Sequence, residues 1–439
     1  MPHRTPALLA LLLAALACTG VRAQTADEND VFSLREAVDY AMENSTLVRN
    51  ARINILDAEQ NVKERLSTGL PQISANLDYT YYPAVPVLAL PEEFGGGEAS
   101  FQLKNSFTPA LSVRSMLFDG SFFVGVRAAR ASGEYYNLEL ESAQRQVRSQ
   151  VTQAYFPVLL VKTNVEVLNN NLANLNDLLR ETRAQYEAGF VEKLDVDRLR
   201  LSISNLESQR DQLLDQGENA LRALKFTLNY PLDEALAVED DLEAVELQIE
   251  EAALAGEIPY SNRPELRLLD KTLELQDLNI ELQRAAYLPS VYANAAGQYQ
   301  YQGDNLSDGF WAETVLVGLS VNIPIYDFGG RRARLERAIL DKQKVVNQRN
   351  DINRSIQLEV LNARTAFNAA NQRYQTLKSN LDLANEIYEV TQIKYREGVG
   401  SSIEVVQAEQ QLYEAQANYL TSLYDALVAK EDLYLALGR

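Results

Sequence analysis

Residues 315–331 read VLVGLSVNIPIYDFGGR, and this stretch decides the fold. Every second residue from Val315 to Ile325 is aliphatic, while the residues between them are mostly small or polar. This period of two predicts a β-strand with one apolar face. Asp327 and Gly329-Gly330 end the alternation, and a charged helical pattern begins at Arg331. The chain therefore changes from strand to helix within a few residues.

The same change occurs earlier, in the sequence LSVRSMLFDG at residues 111–120. Leu111 lies 208 residues before Leu319, and Leu70 lies 218 residues before Leu288. A period of about 210 residues is too long for a solenoid repeat and indicates a duplicated half. We interpret the chain as a first repeat, an acidic connecting segment and a second repeat, at residues 24–230, 231–262 and 263–439.

Each repeat reads as helix, strand, loop, strand, long helix, turn and helix. The predicted strands cover residues 72–82, 106–119, 290–301 and 314–326. The long helices that follow the second strand of each repeat hold sixty-odd residues, which is about 100 Å at 1.5 Å per residue. The predicted fold class is mainly α, with duplicated helix-strand-strand-helix halves and four strands per chain.

The N-terminal 23 residues read as a signal peptide. Arg4 gives a positive start, residues 7–17 form an apolar core, and Val21-Arg22-Ala23 is a small-x-small cleavage site. Cys18 offers a lipidation site, although Ala15 stands where such sites carry Leu. The sequence thus predicts an exported protein whose mature chain starts at Gln24.

This leader holds the single Cys and the single His of the chain, Cys18 and His3. Without them, catalysis by Cys or by a Ser-His pair, disulfides and Cys/His metal sites are excluded. Loss of Arg4 and Arg22 leaves 39 of the 41 basic residues against 61 acidic ones, a net charge of −22. Such a charge disfavours nucleic acid. We predict no enzyme, no cofactor and no metal site.

The four strands match the length of strands that cross membranes, about 9–11 residues. Aromatic residues such as Tyr81 and Trp311 cluster near one set of strand ends, as in an interfacial girdle. Four strands do not close a barrel, and an open edge cannot face lipid. The barrel must be shared between chains, and this argument alone does not choose between eight strands from two chains and twelve from three.

Several ordered motifs resemble the TolC-like outer membrane efflux proteins, the outer membrane factors, over essentially the whole mature chain. They are the duplication, LSVNIPIYDFGGR and LSVRSMLFDG, Asn262-Arg263-Pro264-Glu265-Leu266, and two YxxG turns followed by Leu194-Asp195-Val196 and Ile403-Glu404-Val405. The resemblance implies a homotrimer in the outer membrane, with a twelve-stranded β-barrel continued by a periplasmic α-helical barrel. It also implies a periplasmic adaptor (membrane fusion) protein and an inner-membrane efflux pump or ABC transporter as partners. The implied function is an export conduit for efflux or type I secretion.

The resemblance places the two YxxG turns at the periplasmic aperture. The candidate aperture residues are Tyr186, Gly189 and Asp195 in the first repeat and Tyr395, Gly398 and Glu404 in the second. Each acid follows its Tyr by nine residues, so a trimer would place six carboxylates around the pore, and such rings select cations. The alternative is a pair of ordinary solvated acids near helix N-termini.

The alternative function is a soluble periplasmic coiled-coil scaffold with a small β-domain. The strands discriminate between the two, because a soluble scaffold has no need of an apolar lipid-facing stripe on all four. The alternation predicts that Val317, Leu319 and Val321 face lipid and that Ser320 and Asn322 face the lumen.

Overall fold

The computed structural model describes residues 30–90, 92, 97–100, 102–245, 247, 253–254 and 256–438. The predicted signal peptide and Cys18 lie outside the described residues. The strands are β1 (Asp30–Phe32), β2 (Gln72–Tyr81), β3 (Leu88–Leu90), β4 (Gly97–Ala99), β5 (Asn105–Asp119), β6 (Leu236–Val238), β7 (Ser290–Gly303) and β8 (Gly309–Asn322). The α-helices are α1 (Leu34–Asn44), α2 (Thr46–Ser67), α3 (Gly120–Glu187), α4 (Lys193–Leu228), α5 (Pro264–Ala285), α6 (Gly330–Arg396) and α7 (Ser402–Ala436).

The four predicted long strands form one antiparallel sheet in the order β2-β5-β7-β8. The two repeats meet at its centre, where β5 of the first repeat pairs with β7 of the second. β2 and β8 are the edges, and neither has a second neighbour among the described strands.

The last strand, predicted at about residues 314–326, differs from the observed β8 at both ends. β8 begins at Gly309 because β7 continues to Gly303 and pairs with it, and Trp311 stacks on Tyr299 with ring centroids 4.9 Å apart. β8 ends at Asn322 because its partner Ser290 is the first residue of β7. Pro324 also lacks the N–H that a ladder needs.

The sheet register sorts the side chains into two faces, since directly paired residues point the same way. One face carries Val317, Leu319 and Val321 of β8, whose side chains are 82%, 71% and 56% exposed. Leu319 pairs with Ala293, so the apolar row continues across β7. The other face carries Ser320 of β8, which accepts a hydrogen bond from Asn294 Nδ2 at 2.9 Å. We call these the apolar face and the polar face.

The helices continue the order of the strands. The helices α2, α3, α5 and α6 pack side by side in that order. They are connected in sequence to β2, β5, β7 and β8 respectively, so helices and strands have the same spatial order. α3 and α6 are 68 and 67 residues long, and α4 and α7 run back beside their lower parts as 36- and 35-residue helices. No helix among the described residues is both long and apolar enough to span a membrane.

Part of the connecting segment is packed onto the long helices. β6 pairs in parallel with β1, which joins residues 236–238 to the start of the described chain. Tyr155 of α3 is fully buried, and its hydroxyl donates to Phe32 O at 2.8 Å and to Asp240 Oδ2 at 2.9 Å. Burial and the nearby carboxylate raise the pKa of Tyr155, so the hydroxyl keeps its proton as a donor.

Candidate functional site

Two tight turns lie at the ends of the long helices. The first hairpin is α3, residues 188–192 and α4, and the second is α6, residues 397–401 and α7. Gly189 and Gly398 have φ of +85° and +77°, a left-handed conformation that costs glycine least. The amide of each glycine donates to the carbonyl of the preceding Tyr, at 2.9 Å for Tyr186 and 3.0 Å for Tyr395. The YxxG pattern therefore encodes a helix end, and we call residues 181–202 and 395–409 the tip.

Asp195 and Glu404 occupy the same position, the third residue of the returning helix, but have different surroundings. Asp195 Oδ2 accepts from the Glu192 amide at 3.2 Å as part of a capping box, and its side chain is 20% exposed. Glu404 is exposed, and no hydrogen bond or ion pair of its side chain forms with any described residue. The duplication in the sequence predicts equivalent surroundings for these two acids, but their surroundings in the structure differ.

Asp195 also joins the first hairpin to the second. Ser402 Oγ donates a hydrogen bond to Asp195 Oδ1, and Ser402 is only 2% exposed. Arg198 Nη1 lies 3.4 Å from Ser402 Oγ and 3.6 Å from Asp195 Oδ1. A carboxylate, a hydroxyl and a guanidinium thus form a partly buried link, in which the charged acceptor strengthens the hydrogen bond.

Two further contacts cross between the hairpins. Tyr395 is 7% exposed, and its hydroxyl lies 3.2 Å from Thr182 Oγ1. Burial raises the pKa of Tyr395, which keeps the hydroxyl neutral. Arg396 Nε donates to Glu181 Oε2 at 3.1 Å, but both side chains are 46% exposed. Tyr186, the counterpart of Tyr395, is 42% exposed and makes none of these contacts.

Farther from the turns, α3, α4, α6 and α7 share an apolar cluster, and one carboxylate is buried beside it. Leu199 and Val405 belong to this cluster, one from each returning helix. Glu409 is 5% exposed, its Oε2 accepts from Ser202 Oγ at 3.2 Å, and its Oε1 is buried with no partner among the described residues. Burial raises the pKa of Glu409, so the packed arrangement favours the protonated carboxyl.

Sequence reasoning identified the turns and the acids but missed the residues that link the hairpins. Ser402, Thr182 and Arg198 carry no motif, and their partners are about 200 residues away in sequence. A signal exists only for Glu409, an acid among the apolar residues Val405, Ala408 and Leu412, which recur every three or four residues along α7. No group of three or more His, Cys, Asp or Glu side chains in the described part of the chain is placed to hold a metal ion.

Large apolar side chains are exposed at the turns themselves. Phe190 and Val399, which follow the two glycines at equivalent positions, are 82% and 79% exposed. Leu194 and Ile403, the residues before the two acids, are 51% and 44% exposed. Exposed apolar side chains grouped at one end of a helical region are typical of an interaction surface. We call these four residues the apolar tip surface.

Comparison with known proteins gives matches along most of the chain. The profile of the family described as "Outer membrane efflux protein" matches residues 37–229 and 260–439. The chain is 23% identical over 418 residues to the probable efflux pump outer membrane protein SepC of Pseudomonas putida, covering 92% of this chain and 83% of that protein. It is 28% identical over 367 residues to the cation efflux system protein CusC of Escherichia coli K12, covering 78% and 77%.

Solved structures give the same architecture. The Campylobacter jejuni CmeC outer membrane channel matches with a TM-score of 0.70 at 19% identity, over 92% of this chain and 85% of that chain. A crystal structure of CusC matches with a TM-score of 0.71 at 19% identity, over 93% of both chains. At these identities the structural likeness shows the fold.

Proposed function

The chain belongs to the outer membrane efflux protein family, and from this premise we propose that three copies form a passive export conduit. The conduit carries cargo from the periplasm to the exterior as the outer membrane part of a tripartite efflux or type I secretion system. Energy comes from the partners in this proposal. The family membership favours this function over the soluble periplasmic scaffold.

One observation carries the proposal: the four-stranded sheet is open at both edges. Its apolar face has exposed side chains on every strand, as Ile73 of β2, Leu111 of β5, Tyr299 of β7 and Val317 of β8 illustrate at 71%, 54%, 48% and 82%. An apolar face suits lipid, but unpaired N–H and C=O groups at β2 and β8 do not. Other copies of the chain supply the missing strands.

The internal duplication predicts how the edges meet. Within one chain, β5 pairs with β7, and these strands are the counterparts of β8 and β2. Moving the pair Val113–Ala295 by the repeat offsets, 208 and 218, gives Val321 opposite Leu77 of the next copy. The same shift gives Asn322 opposite Asn76. Apolar residues meet on the apolar face and polar residues on the polar face, so the register is self-consistent.

This register also extends β8. The pair Ser115–Ala293 becomes Ile323 opposite Ala75 of the next copy, so residues beyond Asn322 gain a partner on assembly. Ile323 and Ile325 are 62% and 89% exposed in the single chain. In the proposed assembly β8 therefore continues to Ile323.

Cysteine pairs test the trimer and its register in a Cys18→Ser background, which leaves no other thiol. Leu77→Cys with Val321→Cys, and Asn76→Cys with Asn322→Cys, each place Cα atoms of neighbouring copies about 4.5–5.5 Å apart, within disulfide reach. Oxidation in native membranes should give a covalent trimer on non-reducing gels.

The matched control for this register is Ile73→Cys with Val321→Cys. It keeps the same face but is four residues out of register, and it should stay monomeric on the gel. A covalent dimer as the end product, or equal cross-linking of the control, would contradict the proposed assembly.

The tip is the proposed docking end for the periplasmic adaptor. Its apolar tip surface supports this, since Phe190, Leu194, Val399 and Ile403 are exposed and lie at the end of both hairpins. The inner-membrane pump or ABC transporter then acts through the adaptor. Beyond the predicted leader, the chain has Met42 and Met116 but no His or Cys, so the conduit has no soft-metal relay of its own.

The six aperture residues divide into three roles in this proposal. Gly189 and Gly398 set the turns, and the Tyr186 carbonyl supports the first turn by accepting a hydrogen bond from the Gly189 amide. Asp195 and Tyr395 hold the two hairpins together in the closed aperture. Glu404 is exposed and free to face the pore, where three copies form a carboxylate ring that favours cations.

Glu404→Gln should lower cation selectivity and relieve block by divalent or trivalent cations. The effect should be largest at low ionic strength, because the Debye length is about 8 Å at physiological salt. Reversal potentials and block in planar bilayers measure both quantities. Glu397→Gln removes the same charge from an exposed position in the adjacent turn and serves as the control. Unchanged selectivity and block in Glu404→Gln would leave Glu404 as a solvated helix acid.

A further inference from the structure

A recess lies on the polar face where the sheet meets the helices. Its volume is about 580 Å³, within the range of small-molecule sites. Met116, Phe122, Leu275 and Leu282 line its apolar part. Gly125 and its neighbours Ala128 and Ala129 on α3 leave the space open, and a Cβ added at Gly125 meets no atom within 4 Å.

Two arginines stand at this recess. Arg65 of α2 lines it, and the Arg114 guanidinium lies 4.2 Å from the ring centroid of Tyr292, which also lines it. Neither arginine forms an ion pair with any residue that the structure describes. In a chain with 61 acidic and 41 basic residues, both arginines at this recess remain without an acidic partner among the described residues.

The one acid of the recess is already satisfied. Asp119 Oδ1 accepts from the Ser121 amide at 2.8 Å, and Asp119 Oδ2 accepts from the Tyr292 hydroxyl at 3.0 Å. The carboxylate therefore serves to fix Tyr292 and the start of α3, and it forms no ion pair with either arginine. The recess combines an apolar floor with a positive rim.

The strand register places the recess on the side of the sheet away from Leu319. Tyr292 pairs with Ser320 on one side and with Met116 on the other, and all three lie on the polar face. Arg114 pairs with Gln72, the first residue of β2, so it stands at the strand ends near α2. Under the proposed function this face is the lumen wall.

We propose that this recess binds amphipathic anions, molecules with a flat apolar body and one anionic group, as they pass through the conduit. The apolar body packs on Phe122 and Leu282, and the anionic group meets Arg65 and Arg114. The second repeat has Gln283 and Asn322 at the positions equivalent to these arginines. Each chain thus holds one such site and a trimer three, and the inference rests on the proposed function.

Naphthalene-2-sulfonate is the probe, with 2-naphthylmethylammonium as its cationic match and sulfate as an anion without an apolar body. Calorimetry on the purified trimer should show saturable binding of the sulfonate, one per chain, and much weaker binding of the other two. Arg65→Gln and Arg114→Asn, the residues that the second repeat uses, should each weaken sulfonate binding about tenfold through loss of a charged hydrogen-bond donor.

Gly125→Leu should abolish sulfonate binding by filling the recess. Its control is Gly133→Leu, also on α3 with no atom within 4 Å of an added Cβ, but outside the recess. Arg127→Gln is the control for charge, because Arg127 pairs with Glu281 and does not line the recess. Both controls should bind as the parent does.

Equal binding of the cationic probe, or unchanged binding in Arg65→Gln and Arg114→Asn, would overturn the proposal. If Gly125→Leu does not assemble into a trimer, Arg65→Gln and Arg114→Asn still test whether the recess binds the sulfonate. Conductance in bilayers distinguishes failure of the recess proposal from failure of the conduit proposal. A conducting trimer without selective sulfonate binding would reject the recess alone, whereas selective binding without conductance would count against the conduit alone.

Discussion

Leu319→Arg is expected to remove the assembled protein from the outer membrane, whereas Ser320→Arg is expected to leave it in place. Leu319 lies on the apolar face and is 71% exposed, with Ala293 beside it in β7. Arginine facing lipid near the midplane of a β-barrel costs about 2–4 kcal/mol. A homotrimer carries the change three times, so the total cost is about 6–12 kcal/mol. That is comparable to the whole stability of many proteins.

Ser320 is the neighbouring residue, on the polar face, where it pairs with Tyr292 and accepts a hydrogen bond from Asn294. Arginine there loses one hydrogen bond, about 1 kcal/mol, but its charge stays in water. The amount of assembled protein in outer membrane fractions, and urea unfolding in lipid bilayers, measure both variants. Equal tolerance of the two substitutions would show that the faces of the sheet are assigned wrongly.

The strands could be predicted because their faces differ in chemistry, and alternation records that difference directly. The errors occurred where partners decide the bounds. β8 starts early because β7 extends to Gly303, and it stops at Asn322 because β7 offers no further residue. Alternation up to Ile325 carries no information on whether the pairing strand belongs to the same chain. In the proposed assembly, pairing with the next copy accounts for the alternation beyond Asn322.

At the tip, the sequence predicts the turns but not the contacts between the two hairpins. Turn chemistry is local, so the YxxG pattern was sufficient to locate both helix ends. The duplication then predicted that Tyr186 is structurally equivalent to Tyr395, and Asp195 to Glu404. The structure gives each pair unequal burial because the second hairpin packs its Tyr and its Ser402 against the first, while the first presents Asp195. Contacts between residues about 200 positions apart leave no periodic signal.

In the proposed trimer, Ser402→Ala should shift the aperture at the tip strongly towards its open state. The hydroxyl of Ser402 is buried and joins Asp195 of the first hairpin, and hydrogen bonds to charged groups contribute about 1.5–3 kcal/mol. Three copies opening together would lose about 4.5–9 kcal/mol. A change of about 5.5 kcal/mol suffices to turn a closed-to-open ratio of 99:1 into 1:99. The fraction of channels in the high-conductance state in planar bilayers measures the shift.

The double variant Asp195→Asn with Ser402→Ala completes the test, because the two single effects should add to more than the double effect if the residues act through one contact. Arg396→Gln is the control. It breaks the ion pair with Glu181, whose members are both 46% exposed, and exposed pairs contribute about 0–1 kcal/mol. Its effect should be small and should vanish at high salt, whereas the partly buried Asp195 link should persist there. If Arg396→Gln opens the channel as far as Ser402→Ala does, the aperture is held by surface charge, and the link through Asp195 is not what keeps it closed.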